Sequence, residues 1–197
     1  MDVVGRKSVS GGNGAAQTVL GVEGDLTTMG KIIGGGVPVA AYGGRAELMN
    51  NVAPLGPVYQ AGTLAGNPLA MSAGIATLNE LAKPGLYDGI NALAKKLVHG
   101  LRSALAGAGI PAQVNSIGSL STIFFTPEPV TNYFGAKRSD TKLYARYFRE
   151  MLNRGIFLAP SQFEAAFVSA SHTSADIDHT IASAQEVLKF MAAQPSA

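Results

Sequence analysis

The sequence predicts an α/β chain in two parts, residues 1–84 and 85–197, and three observations carry that reading. From about residue 85 the order is helix, strands, helix, strands, helix, the pattern of a small layer domain with helices packed on an antiparallel-rich sheet. Leu86, Ile90, Leu93, Leu97, Leu101 and Leu105 recur every three or four residues, which marks one face of a long amphipathic helix. "AQVNSIGSLSTIFFT" alternates around Gly118, as one or two strands do. The part before residue 84 is turn-rich and has too few strands to close a sheet of its own. It does not look self-sufficient, and residues 1–20 show only weak periodicity.

Each element has a local reason. Residues 1–23 are polar and glycine-rich, so an irregular segment is expected there. "LTTMGKIIGGGVPVAAYGG" has short β-branched pieces broken by glycine, which predicts short strands joined by tight turns. "RAELMNNVA" reads as one short helix. Asn67 is a good N-cap and Pro68 suits the first helical position. Leu69, Ala73, Ala76 and Leu81 then give a broad apolar face rich in small residues, and Pro84-Gly85 stops the helix. "SDTKLYARYFREMLNRG" reads as a helix capped by Ser139 and ended by Gly155. "IFLAP" and "AFVSAS" read as short strands. Thr173 caps a last helix, with Asp176 in its first turn and Ile177, Ile181, Leu188 and Met191 along one face.

Composition excludes several functions. Fifteen basic against 13 acidic residues is too balanced for an electrostatic nucleic-acid footprint. With no cysteine, disulfides, thiolate catalysis and Cys-based zinc sites are out. No apolar run approaches the ~18–20 residues of a membrane span. The first residues carry basic groups with no apolar stretch behind them, so a secretory signal is not expected. A soluble intracellular protein is the expectation: cytoplasmic in a bacterium, plastid in a plant or alga.

Lys31 raises the chemical question, because it stands between a Thr-Thr-Met run and Gly34-Gly35-Gly36. A nucleotide-binding loop needs its glycines before the lysine and a hydroxyl after it, and here the order is reversed. A covalent lysine needs apolar neighbours and room for a flat cofactor. Met29, Ile32 and Ile33 supply the first, and the glycines offer the second. A surface lysine at a glycine turn remains the plain alternative. "YQAGTLAGNP" presents a threonine in a glycine-flanked turn upstream of a helix, either an anion site or a turn plus cap. His99, His172 and His179 are scattered without metal or triad spacing and read as structural. Glu164 sits between Phe163 and Ala165-Ala166-Phe167, so it is a paired or perturbed carboxylate or an exposed loop residue.

Three stretches taken together resemble a known family. "DLTTMGKIIGGGVPVAAYGGRAELM", "APLGPVYQAGTLAGNPLAMSAGIATL" and "GIFLAPSQFEAAF" are similar to the glutamate-1-semialdehyde 2,1-aminomutases, pyridoxal-phosphate enzymes related to the class III aminotransferases. The resemblance runs from about Gly21 to about Phe190. It implies the C-terminal part of a fold-type I PLP-dependent transferase: a remnant of the large domain plus the small domain. It implies that Lys31 forms the Schiff base with pyridoxal phosphate and shuttles protons. Gly62 and Thr63 would contact the phosphate, each subunit of a homodimer donating this contact to its partner's site. Glu164 would face the substrate pocket and disfavour dicarboxylate amino donors. The implied reaction turns glutamate-1-semialdehyde into 5-aminolevulinate for tetrapyrrole (porphyrin) biosynthesis, with the pyridoxamine phosphate form in the cycle.

The family's chains are about twice as long and place an aspartate of an Asp-Glu-Val motif on the pyridine nitrogen. Asp2 is near that place but one residue out of register. A truncated, catalytically impaired chain is therefore expected. Two other readings follow from the same residues: an aminotransferase acting between two substrates, and a non-catalytic C-terminal remnant.

Overall fold

The computed structural model describes Gln17 and residues 21–194. Asp2 and the rest of the stretch expected to be irregular up to residue 20, Gln17 apart, lie outside the described residues. The chain divides into two compact units, one running to Asp88 and the other from Gly89.

In the first unit, β1 (Leu26–Gly30) pairs antiparallel with β2 (Ala40–Gly44), Leu26 opposite Gly44 and Gly30 opposite Ala40. Between them Lys31–Gly34 form a single 3-10 turn, and Gly35 and Gly36 reverse the chain at φ +59° and +92°. These are the short strands and tight turn that the β-branched pieces predict. Helix α1 (Ala46–Met49) follows, where "RAELMNNVA" predicts a helix. Helix α2 (Pro68–Leu81) starts as expected: Asn67 Oδ1 accepts the Ala70 N–H at 3.0 Å, and Pro68 fills the first position.

The inward face of α2 differs from the expected one. Ala70 and Gly74 are buried, while Leu69 is 73% exposed. The reason is close backbone approach. A Cβ on Gly74 would lie 3.3 Å from the Ile33 carbonyl oxygen, so helix and lysine turn meet where side chains are smallest. Leu69, Ile75 and Leu78 point away from that contact.

In the second unit the leucine spacing holds. Helix α3 (Leu86–Ala108) buries Leu97, Leu101 and Leu105 on one face. A hairpin of β3 (Gln113–Ile117) and β4 (Leu120–Phe124) follows, with Ile117 opposite Leu120 and Gly118 at φ +54° in the turn. A short helix, α4 (Tyr133–Lys137), has no counterpart in the sequence reading; its signal is Asn132, whose Oδ1 accepts the Gly135 N–H at 2.9 Å. Helix α5 (Thr141–Leu152) is capped by Asp140, not Ser139. Asp140 donates its N–H to Phe125 O at 3.0 Å, which holds it extended, and its carboxylate takes the N–H groups of Lys142 and Leu143. Ser139 is buried instead.

"IFLAP" is not a strand. It runs unpaired, because Pro160 has no N–H to give and the Tyr144 hydroxyl takes the Ala159 carbonyl at 2.6 Å. Of "AFVSAS" only β5 (Ala166–Phe167) joins the sheet, antiparallel to β4, giving the order β3-β4-β5. Thr173 and Asp176 form the expected capping box of α6 (Ser174–Ala193).

The core of this unit lies where α3, α5 and α6 meet the sheet. Leu101, Val114, Ile123, Phe125, Tyr147, Met151, Ile177 and Leu188 share one buried cluster. Each such large apolar side chain stabilises by about 1.5–3 kcal/mol on burial. Gly100 lets Ile181 of α6 settle directly on the α3 backbone.

Candidate functional site

Lys31 combines exposure with an unusual backbone. It is exposed, and among the described residues it is the non-glycine residue at positive φ, +61°. A side chain there costs about 1–2 kcal/mol over the right-handed region, and strain of this kind concentrates at functional positions. β1 delivers the residue and the 3-10 turn fixes it. Ile33, buried, anchors that turn, with Ile32 and Met29 half-buried beside it. Among the described residues the Lys31 ammonium has no ion-pair or hydrogen-bond partner.

The glycines after Lys31 serve the fold more than an open space. A Cβ on Gly34 would come 3.1 Å from Val39 N, and one on Gly35 would overlap Thr77 Oγ1 of α2. Only at Gly36 would a Cβ meet nothing within 4 Å. Clearance for a flat ring, expected of all three, is confined to one.

Gly62 and Thr63 lie in the exposed loop that leads to the α2 cap. The Gly62 carbonyl accepts the Ala65 N–H at 2.9 Å, closing a turn. Among the described residues nothing engages the Thr63 N–H or hydroxyl. Unengaged donors a few residues ahead of a capped helix N-terminus suit an anion. The lysine turn packs on the body of α2 and the Gly62-Thr63 loop runs into its start, so one helix organises both.

Glu164 belongs to the second unit. It is exposed, its N–H donates to Ser161 O at 3.1 Å, and among the described residues it has no ion-pair partner. The exposed-loop alternative is therefore what the structure shows. It borders a small cavity of about 40 Å³ with Ser121, Thr122, Tyr144 and Thr180, and a wider cleft of about 370 Å³ with Leu158, Phe167 and His172. Burial, and then the Glu164 charge, push the Tyr144 phenol above its ordinary range. Tyr147, deeper in the core, is pushed up further by burial and by Tyr144. Sequence reasoning passed over Tyr144 because it fits the apolar stripe of α5.

Of the histidines, His172 borders the same wider cleft as Glu164. His99 is exposed on α3, and His172 Nδ1 accepts the Ser169 N–H at 3.1 Å in a local turn. Among the described residues no group of three or more His, Asp or Glu is placed to hold a metal, and no helix is long and apolar enough to cross a membrane.

The fold is that of part of a fold-type I transaminase. It superposes on an omega-transaminase from Sphaerobacter thermophilus with a TM-score of 0.84 at 32% identity, covering 95% of this chain and 43% of the other. A glutamate-1-semialdehyde aminomutase variant from Pseudomonas aeruginosa PAO1, in complex with PMP, gives 0.77 at 25% identity, covering 88% and 41%. Residues 7–188 match the family described as Aminotransferase class-III, and the chain belongs to that family. Two curated relatives are named glutamate-1-semialdehyde 2,1-aminomutase. The one from Heliobacterium modesticaldum is 55% identical over 181 residues, and the one from Desulforudis audaxviator 52% identical over 177. These cover 92% and 90% of this chain but only 42% and 41% of the relatives. The chain thus spans about two-fifths of their length.

Proposed function

We propose that this chain is the lysine-bearing part of a glutamate-1-semialdehyde 2,1-aminomutase, an isomerase that forms 5-aminolevulinate for tetrapyrrole biosynthesis. The observation that carries the reading is identity above 50% over nine-tenths of the chain with proteins of that name. In this reading residues up to 84 belong to the large domain and residues 85–197 form the small one. The protein works as a cytoplasmic homodimer.

The residues present fit pyridoxal phosphate. A lysine at a strained backbone position, its amine unpartnered among the described residues, suits covalent attachment, and Thr63 donors that no described residue engages suit a phosphate. The cofactor, when bound, supplies the electron sink. Lys31 holds it and moves protons at Nζ. The Gly62 and Thr63 N–H groups and the Thr63 hydroxyl bind the phosphate, offered to the partner subunit's site. The Glu164 carboxylate borders the substrate pocket and repels a second carboxylate, which disfavours dicarboxylate amino donors.

The likeness to an omega-transaminase favours a second reading, amino transfer between two substrates. One assay separates them. Supplied with glutamate-1-semialdehyde and no amino donor, a mutase forms 5-aminolevulinate. Product that appears only when a donor is added overturns the mutase reading.

A further inference from the structure

We propose that Tyr144 is a positioning residue for Glu164, its hydroxyl being the tether that holds the segment from Ile156 to Glu164 in place. The segment leaves α5 at Gly155 and reaches the sheet only at Ala166. Across that span the hydrogen bonds among the described residues are local, with one exception. Ile156 N–H reaches Met151 O at 3.0 Å, Phe163 N–H reaches Ser161 Oγ at 3.2 Å, and Glu164 N–H reaches Ser161 O at 3.1 Å. The exception is Tyr144, whose hydroxyl donates to Ala159 O at 2.6 Å from the body of α5, 15 residues earlier in the chain.

The rest of the segment offers no substitute. Pro160 has no N–H. Gln162 is 2% exposed, yet neither side-chain polar atom finds a partner among the described residues, so it anchors by packing. The tether itself is rigid. The Tyr144 ring is buried, with Phe125 edge-on at 6.4 Å and Tyr147 tilted against it at 6.4 Å. Tyr144 and Glu164 also border the same small cavity, so the two ends of the device are neighbours. The upward shift of the phenol keeps its proton in place, and the donor intact, beyond the ordinary tyrosine range.

This inference rests on reading Glu164 as the pocket carboxylate, and the test separates the two. Amide hydrogen exchange is followed in Tyr144→Phe, with Tyr147→Phe as a control for a hydroxyl lost from the same helix. Losing one hydrogen bond is expected to speed exchange across residues 157–165 about three- to tenfold, with α6 unchanged. The Glu164 carboxyl ¹³C resonance, assigned by its loss in Glu164→Gln, is expected to move in Tyr144→Phe. Unchanged loop exchange, equal acceleration throughout the unit, or an equal effect from Tyr147→Phe overturns the tether. If the tether holds but Glu164→Gln leaves the preference against dicarboxylate amino donors unaltered, the pocket reading of Glu164 fails instead.

Discussion

Gly35→Ala asks whether the glycines after Lys31 are there for the fold. Gly35 sits at φ +59°, where an added Cβ costs about 1–2 kcal/mol. That Cβ would also overlap Thr77 Oγ1 and lie 3.4 Å from Ala73 O. Thr77 cannot swing aside freely, because its hydroxyl donates to Ala73 O at 2.9 Å. Overpacking of this kind costs about 1–3 kcal/mol. The two contributions together give roughly 2–5 kcal/mol, lost where the lysine turn packs on α2. Amide exchange at Ile33 and along α2 is the assay, and an acceleration of about thirtyfold or more is expected. In a Thr77→Ala background the overlap disappears and only the backbone share remains. Gly36→Ala, with open space around it, also shows the backbone share alone. A Gly35→Ala protein with unaltered exchange refutes the packing argument, and so does a clash that Thr77→Ala fails to relieve.

Three further outcomes are expected. Gln162→Met removes two buried polar atoms that have no partner among the described residues, at nearly constant volume. A buried unsatisfied group costs about 1–3 kcal/mol, so the urea midpoint rises at constant m-value. Asp176 is held below the usual carboxylate range, first by the Thr173 N–H and then by the Thr173 hydroxyl. Its folded pKa is depressed, so the cap contributes in full above the unfolded value of about 4 and is lost as pH falls below it; an acid titration of α6 helicity shows this loss, and Asp176→Asn flattens it. Lys31→Ala abolishes the borohydride-stable pyridoxyl label on the chain while its circular dichroism stays unaltered. Label that persists in Lys31→Ala removes Lys31 from its role.

The second unit was readable because its elements depend on near neighbours. The Leu97-Leu101-Leu105 stripe, the alternation around Gly118 and the Thr173-Asp176 box each settle a local choice, and packing then agrees with it. The errors fall where a distant group intervenes. Nothing in "IFLAP" shows that a tyrosine twelve or more residues earlier takes a carbonyl a strand would need. Ser139 and Asp140 are both good caps, and the choice turns on Phe125 O, which fixes the Asp140 backbone. The α2 face differs for the same reason. Apolar size pointed to Leu69, but close backbone approach selects the smallest residues, Ala70 and Gly74.

The candidate site shows the complementary limit. Lys31 stood out in the sequence for the glycines that follow it, yet Gly34 and Gly35 are accounted for by Val39 and Thr77. What distinguishes Lys31 physically is its own φ, a property no residue spacing reveals. A glycine would adopt that conformation without the penalty, as Gly35 and Gly36 do immediately after it. Keeping a long, charged side chain at a position where stability favours none is intelligible if the amine itself is needed. The same logic applies to Gln162, buried without side-chain partners among the described residues and two positions before Glu164. In both places a local rule of stability is broken beside a residue proposed to do chemistry, which is where such departures are expected.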